Sequence, residues 1–199
     1  MKKYIVYDSE TGGLDPTTSS LLTLTLRVLD QQLQQLEQLE LKLKPEDGIF
    51  KVSMEAMGIN KINLVEHEKT AITYKEARPR IMALLNRHSN GGISKLVPIG
   101  QNVEFDNAFI YHYLITKSDW EILVSYKKLD TATIAEFLKL CNLIPVNLRG
   151  LGDVASFFGV KEAGAHNATV DVNMTQNVLK AMKMRVTHRN FVETETKHK

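Results

Sequence analysis

The order of apolar patterns along the chain is the feature that most constrains its fold. Residues 3–8 form a short apolar run typical of a buried strand, and residues 21–29 alternate leucine or valine with threonine or arginine, the period of a half-buried strand. Leucine alternates with charged residues again over 39–44, so these two segments are expected to pair as antiparallel neighbours through the polar residues 30–32. The leucines of 31–41 also suit a helix, so the beginning of the third strand stays open.

Helix-like segments dominate the rest of the chain. Thr73 and Glu76 have the spacing of a capping box, which predicts a helix start, while Pro79 predicts a kink in that helix or a later start. A strand is predicted over 96–100, and helices are predicted over about 104–116, 131–141, 148–158 and 168–184. Three strands followed by strands that alternate with helices predict an α/β domain whose mixed sheet is covered by helices.

Composition narrows the class of protein. The chain has 199 residues, of which 43% are hydrophobic and 24% charged, which is typical of one globular domain. Its formal net charge of +2 permits a nucleic-acid partner without demanding one. The single cysteine, Cys141, has no partner for an intramolecular disulfide, and neither a signal peptide nor an apolar run of roughly 18 residues is present. We therefore expect a cytoplasmic protein that does not enter a membrane.

Two acidic residues close the first predicted strand. Asp8 and Glu10 are two positions apart, so both carboxylates project from the same face of the strand. Ligands of α/β sheets bind beyond the carboxyl ends of strands, and the loop of residues 11–14 follows there. The plain alternative is a pair of solvated charges at a strand end.

Two further aspartates lie on the apolar faces of predicted helices. Asp106 comes three residues before Phe109, and Asp171 comes three residues before Met174, so each acid shares an apolar stripe. An acid in the first turn stabilises the helix dipole, but this does not explain its place on the apolar face. An unpaired carboxylate there is costly, so we expect a bound cation, or for Asp171 a salt bridge to a basic residue farther along its helix.

Convergence of these four acids would require cations. Two carboxylates about 5 Å apart repel by roughly 3 kcal/mol at an effective dielectric near 20. Oxygen ligands alone favour hard ions such as Mg²⁺ or Mn²⁺ over zinc. His166 lies five residues before Asp171, at the predicted entry to the same helix, where an imidazole is suited to accept a proton from water.

Three motifs, in this order, resemble those of the DEDDh family of 3′→5′ exonucleases. They are Asp8-Ser9-Glu10-Thr11-Gly12-Gly13-Leu14, Asn102-Val103-Glu104-Phe105-Asp106 and His166-Asn167-Ala168-Thr169-Val170-Asp171. The branch that includes the proofreading (epsilon) subunit of bacterial DNA polymerase III is the most similar, and its His-Gly-Ile and Asp-Thr elements resemble Met57-Gly58-Ile59 and Leu129-Asp130-Thr131. The resemblance extends over about residues 3–185.

The resemblance implies an RNase H-like fold with a five-stranded mixed sheet, in an exonuclease domain of residues 1–187 followed by a polar tail, residues 188–199. It implies two Mg²⁺ or Mn²⁺ ions held by four carboxylates, with a histidine as general base. The implied ligands are Asp8, Glu10, Asp106 and Asp171, and the implied base is His166. The residues expected to bind the terminal nucleotide are Thr11, Gly12, Leu14, Met57, Asn102 and Phe105, while Asp130 is expected to be structural.

The implied activity is hydrolysis of the last phosphodiester at the 3′ end of single-stranded DNA, with nucleoside 5′-monophosphates as products and a DNA polymerase as a candidate partner. An exoribonuclease of the same family, a non-catalytic module that holds 3′ ends and an RNase H-like endonuclease are the alternatives. All acidic positions are filled, which disfavours the non-catalytic module, and His166 disfavours the endonuclease. Gln101 and Met57 stand where the family often has histidine, so the preference between DNA and RNA stays open.

Overall fold

The structure is a computed structural model that describes residues 2–160 and 167–196, with side chains up to residue 187. The strands are β1 Tyr4–Thr11, β2 Leu21–Leu29, β3 Gln35–Lys44, β4 Ile72–Thr73, β5 Val97–Gly100 and β6 Leu129–Asp130. The helices are α1 Met54–Asn60, α2 Leu64–Thr70, α3 Tyr74–Ser89, α4 Val103–Tyr113, α5 Lys117–Leu123, α6 Thr131–Leu140, α7 Leu151–Phe157 and α8 Ala168–Thr196. None of the helices within these ranges is long and apolar enough to cross a membrane.

The described strands form one mixed sheet of six, in the order β4-β3-β2-β1-β5-β6. β1, β2 and β3 are antiparallel neighbours, whereas β5 runs parallel to β1, β6 to β5 and β4 to β3. The predicted α/β fold with a mixed sheet is confirmed, but the predicted number of five strands is wrong. The additional strand, β4, has two residues, which is too short for a period of two to be visible in the sequence.

Helices cover both faces of the sheet, and the alternation of side chains along β1 decides which residues meet which helices. Tyr7 faces a core that it shares with α3, α4 and α5. Val6 faces the other way, into a smaller core with Val172 of α8. Because side chains alternate along a strand, Ser9 lies on the α4 side of the sheet and the two acids of β1 lie on the α8 side.

The beginning of β3 is decided by a turn. Asp30 Oδ1 accepts hydrogen bonds from the backbone amides of Gln32 and Gln34, over 2.9 and 2.8 Å. Leu33, inside this turn, has a φ of 59°, in the left-handed region that interrupts a right-handed helix. The strand then begins at Gln35, so the helical alternative for this segment is wrong.

The predicted helices are present, with changes at their ends. α3 begins at Tyr74 behind the capping box of Thr73 and Glu76 and contains Pro79, so the later start is wrong. α8 continues past its predicted end at residue 184 to Thr196, and the separation of residues 188–199 as a tail stays a prediction. The helices α1, α2 and α5 are not among those predicted, because seven residues show little apolar periodicity.

Candidate active site

Three acidic side chains that are distant in sequence meet near the end of β1. Asp8 and Glu10 project from the face of the sheet that α8 covers, and Asp171 lies in the first turn of α8. One carboxylate oxygen of each residue lies within 4.8 Å of the others, and all three residues are partly exposed. The structure thus brings together three of the four predicted acids, while their role as metal ligands stays a prediction.

The first turn of α8 is held against the sheet beside these acids. Thr169 Oγ1 lies 3.0 Å from Thr25 Oγ1 on β2, and Thr25 is the strand partner of Asp8. Val172, the residue after Asp171, is fully buried against the sheet. A polar contact and an apolar contact on either side of Asp171 therefore determine where its carboxylate lies.

Burial and mutual repulsion raise the pKa of the clustered carboxyl groups. Burial raises the pKa of Glu10 to about 7, and the charges of Asp171 and Asp106 add to that effect. Burial is also the main cause of the raised pKa of Asp8, followed by the charges of Asp106, Asp171 and Glu10. A divalent cation bound among these groups would favour their charged forms and remove the repulsion between them.

The chemistry of the donor atoms fits a hard divalent cation. Within the described residues, the group of three offers carboxylate oxygens only, with neither histidine nor cysteine. Such a set of oxygen donors suits Mg²⁺ or Mn²⁺, whereas zinc sites usually include nitrogen or sulfur ligands. Asp8, Glu10 and Asp171 are therefore the residues that could hold an ion.

Asp106 lies deeper than the other acids and next to Ser9, and its charge adds to the raised pKa of Asp8. It is 3% exposed, and its Oδ1 accepts a 2.6 Å hydrogen bond from Ser9 Oγ. Burial raises the pKa of Asp106 to about 7, while the hydrogen bonds from Ser9 act in the opposite direction. The predicted place of Asp106 on the buried face of its helix is confirmed, but this acid lies outside the group of three.

A cavity of about 450 Å³ opens beside Glu10. This volume lies within the usual range of small-ligand sites. Its wall combines the loop after β1 with the first turn of α4 and with α1, and Leu14 stands at its rim with 86% of its surface exposed. Among the lining residues are Thr11, Leu14, Ala56, Ile59, Asn60 and Phe105. The cavity therefore offers apolar surfaces directly beside the carboxylates.

The predicted substrate-binding residues divide into two sets. Thr11, Leu14 and Phe105 line the cavity. The other three do not belong to its described lining: Gly12 packs against Lys51, Met57 is half-buried in α1, and Asn102 precedes α4. Contact of any of the six with a substrate stays a prediction.

Gly12 brings the loop after β1 into close contact with the segment before α1. Its amide donates to the carbonyl of Ser20, and its carbonyl accepts from the amide of Ser53, each over 2.7 Å. A Cβ atom at Gly12 would lie 2.2 Å from the carbonyl oxygen of Lys51. Only glycine permits this approach, which joins two walls of the cavity.

A second cavity, of about 540 Å³, adjoins the first turn of α8 and the polar faces of β2 and β3. Glu10 and Asn60 line both cavities, so they form the boundary between them. Asn60 is held there because its Nδ2 donates a 3.2 Å hydrogen bond to the carbonyl of Thr11. Glu10 is thus accessible from two sides.

Ser9 and Asn60 contribute to the site but are not among the predicted site residues. The signal for Ser9 is its position between Asp8 and Glu10, because the period of two directs it to the opposite face. Asn60 has no such signal, since its place depends on a short helix that the sequence does not reveal. His166 lies outside the described residues, so its role as general base stays a prediction.

Comparison with known families decides the kind of protein to which this site belongs. The family model described as exonuclease matches residues 5–179, most of the chain. This chain belongs to the exonuclease family. The predicted exonuclease class is thereby confirmed, while the predicted domain bounds and the closer resemblance to the proofreading subunit are left untested. No curated protein sequence matches the chain.

Solved exonuclease I structures have the same fold. E. coli exonuclease I in complex with a dT13 oligonucleotide is 20% identical, with a TM-score of 0.73, over 97% of this chain and 43% of that one. A moderately thermophilic exonuclease I from Methylocaldum szegediense is 22% identical, with a TM-score of 0.74, over 93% and 41%. The zinc-bound complex of the E. coli enzyme with single-stranded DNA is 20% identical, with a TM-score of 0.73, over 93% and 41%. The chain thus spans about two-fifths of these proteins, and the predicted RNase H-like exonuclease fold is confirmed.

Proposed function

We propose that this domain is a 3′→5′ exonuclease that removes nucleoside 5′-monophosphates from single-stranded DNA, with two Mg²⁺ or Mn²⁺ ions. The observation that carries the proposal is the group of Asp8, Glu10 and Asp171, whose oxygens approach within 4.8 Å beside a ligand-sized cavity. The choice of DNA is supported by the structural relatives, which include complexes of E. coli exonuclease I with dT13 and dA16 oligonucleotides.

Each part of the site has a role in this reaction. Asp8, Glu10 and Asp171 would hold the ions, with Asp106 as the fourth proposed ligand. When bound, such ions would supply a lower pKa for the attacking water and stabilisation of the charge on the leaving 3′ oxygen. His166 is proposed to accept the proton of that water.

In this proposal, the cavity beside Glu10 restricts cleavage to the last phosphodiester. Leu14 and Phe105 present apolar surfaces to the terminal base, a mode of contact that tolerates any base. With the last nucleotide in the cavity, its phosphate lies at the carboxylates, and the rest of the strand extends outward. Orientation of the reacting groups in this way supplies a large part of enzymatic rate enhancement.

The resemblance to the proofreading branch extends the proposal to a partner. A DNA polymerase that presents frayed 3′ ends would supply single-stranded substrate to this site. A purified polymerase III catalytic subunit should then increase turnover of a mismatched duplex, and a lack of any effect would remove the partner from the proposal without affecting the activity.

The activity is tested with 5′-labelled DNA and RNA strands of the same sequence, with Mg²⁺ or Mn²⁺ and without metal. We expect stepwise shortening from the 3′ end of DNA, and none with EDTA. Asp8→Ala should reduce turnover to the level seen with EDTA, and His166→Ala should reduce it by about a hundredfold or more. The exposed Glu68→Gln serves as the control that leaves turnover unchanged.

Each alternative has its own outcome in this assay. Faster shortening of RNA than of DNA would identify an exoribonuclease. Binding of 3′ ends without turnover would identify a non-catalytic module, and cleavage of circular single strands would identify an endonuclease. Full activity in Asp8→Ala would remove the proposed site.

A further inference from the structure

The carboxylate of Asp130 connects the starts of two helices. Asp130 ends β6 and is the N-cap residue of α6, where its Oδ1 accepts a 3.0 Å hydrogen bond from the amide of Ala132. The same carboxylate also accepts from the first amides of α4. Oδ1 lies 3.2 Å from the amide nitrogen of Asn102, and Oδ2 lies 2.9 Å from that of Val103. One side chain therefore caps its own helix and a neighbouring one.

Helix α4 depends on this contact because its own N-cap residue does not supply one. Asn102 has a φ of 61°, and within the described part of the chain its side chain makes no capping hydrogen bond. The first amides of any helix have no partner within the helix, and leaving such a group buried and unsatisfied costs about 1–3 kcal/mol. A carboxylate at this end also interacts favourably with the helix dipole.

The sheet places Asp130 where it can reach α4. β6 pairs with β5 in parallel, with Asp130 opposite Gly100, two residues before Asn102. Thr131 adds a second connection, since its Oγ1 donates a 3.0 Å hydrogen bond to the carbonyl of Gly100. The junction between β6 and α6 thus fixes the junction between β5 and α4.

The first turn of α4 carries two groups of the candidate active site. Phe105 lines the cavity beside Glu10, and Asp106 accepts the hydrogen bond from Ser9. Val103, whose amide donates to Asp130, is fully buried. It lies two residues before Phe105 and three residues before Asp106. A displacement at Val103 would therefore move both groups together.

We propose that Asp130 is a positioning residue, whose carboxylate holds the start of α4 so that Asp106 and Phe105 lie correctly beside β1. Its effect on turnover rests on the proposed exonuclease function. Its effect on α4 does not, because that effect follows from the hydrogen bonds alone.

Asp130→Asn separates the two capping roles. Asparagine is as good an N-cap residue as aspartate, so α6 keeps its cap when the amide oxygen takes the place of Oδ1. The amide NH₂ group then faces the amide of Val103, and two donors meet where a donor and an acceptor met before. Asp130→Ser provides a second variant, since serine also caps α6 but is too short to reach α4. Thr116→Ala is the matched control. Thr116 is the N-cap residue of α5, and the variant removes the hydrogen bond that the amide of Asp119 donates to its hydroxyl.

Three measurements on the purified chain test the proposal. Hydrogen exchange followed by mass spectrometry reports on the amides of residues 101–113, calorimetric titration reports Mn²⁺ binding, and steady-state kinetics separate kcat from KM. In Asp130→Asn and Asp130→Ser we expect faster exchange in the first turn of α4, weaker Mn²⁺ binding and a kcat lower by about tenfold to a hundredfold. The control should lose thermal stability while these three quantities stay unchanged.

The proposal would be overturned if both Asp130 variants matched Thr116→Ala, with unchanged exchange over 101–113, unchanged Mn²⁺ affinity and unchanged kcat. Failure of the proposed function would look different. The wild-type chain would then turn over no substrate, while hydrogen exchange and Mn²⁺ binding would still report whether Asp130 holds α4.

Discussion

Ser9 Oγ donates a 2.6 Å hydrogen bond to Asp106 Oδ1 and so connects β1 with the first turn of α4. Two residues earlier on the same face of β1, the hydroxyl of Tyr7 donates a 2.7 Å hydrogen bond to Asn107 Oδ1. Successive residues of one strand face thereby hold successive residues of one helix. Ser9 also lies between Asp8 and Glu10, so the contact couples the position of Asp106 to theirs.

Replacement of Ser9 by alanine should impair the site more than the fold. Burial raises the pKa of Asp106 to about 7 even though the hydroxyl and the backbone amide of Ser9 both act to lower it, so loss of the hydroxyl should raise that pKa further. At neutral pH and limiting Mg²⁺ a larger fraction of Asp106 is then protonated. We expect turnover of Ser9→Ala to fall by about tenfold at pH 7, the loss expected for one hydrogen bond to a charged group, and to recover partly at pH 9.

Ser89→Ala is the control for Ser9→Ala. Ser89 is fully buried, as Ser9 nearly is, and its hydroxyl accepts a hydrogen bond from the amide of Gly92. This variant should lose stability without a change in the pH dependence of turnover. If Ser9→Ala lost the same fraction of activity at pH 7 and pH 9, the role of Ser9 in the ionisation of Asp106 would be excluded.

The effect of Mg²⁺ on stability should increase with pH. Glu10 and Asp106 have a pKa of about 7 in the folded protein, against about 4.3 and 3.9 in an unfolded chain. The folded state therefore binds protons more tightly, and the stability that this provides is lost as pH rises from about 4 through 7. A cation that binds the ionised carboxylates restores it, so the increase in Tm with Mg²⁺ should be larger at pH 8 than at pH 6.

The difference in Tm with and without Mg²⁺, taken at each pH, cancels the contributions of other titrating groups to stability. His67 is one such group, because burial lowers its pKa. Its effect on stability has the opposite dependence on pH, since the stability that it contributes is lost as pH falls below about 6.5. Glu10→Gln should weaken the pH dependence of the Mg²⁺ effect, whereas Glu68→Gln should preserve it. Equal increases in Tm at both pH values in the wild-type chain would argue against a cation among these carboxylates.

The positions of the acidic residues within their strand or helix can be predicted because each follows a simple periodicity. Asp8 and Glu10 share a face of β1 by the period of two, and Asp106 and Asp171 share the apolar stripes of their helices. A stripe shows that a residue faces the core but not which side of the sheet its helix covers. The place of Asp106 beside Ser9 therefore follows from the tertiary arrangement alone.

The sequence likewise predicts the long elements of the fold but not the short ones. Long strands with strict alternation, such as β2, are evident in the sequence, and the two-residue strand β4 is not. The helix α1 is also too short to be recognised, and with it Asn60 and one wall of the cavity are missed. Such short elements form because the surrounding structure satisfies their ends, which is information that a local pattern does not contain.

Leu14 should affect substrate binding without affecting stability. It is 86% exposed at the rim of the cavity, so truncation to alanine removes little buried surface from the folded protein. If the terminal base packs on Leu14, Leu14→Ala should raise KM for single-stranded DNA several-fold and leave Tm unchanged, since each methylene group withdrawn from such an apolar contact is worth about 0.8 kcal/mol. Ile93→Ala, at a residue 82% exposed and outside the lining of this cavity, is the control. An unchanged KM in Leu14→Ala would exclude the contact.

Gly12 provides a test of how the cavity is built. A Cβ atom there would lie 2.2 Å from the carbonyl oxygen of Lys51, so Gly12→Ala must push the loop after β1 away from the segment that precedes α1. We expect the free energy of unfolding, measured by urea denaturation, to fall by about 1–3 kcal/mol, with a raised KM because one wall of the cavity moves. Gly58→Ala is the matched control, since its Cβ would have no neighbour within 4 Å and alanine favours the helix by up to about 1 kcal/mol. If Gly12→Ala were as stable and as active as Gly58→Ala, the close approach at Gly12 would not be what holds the two walls together.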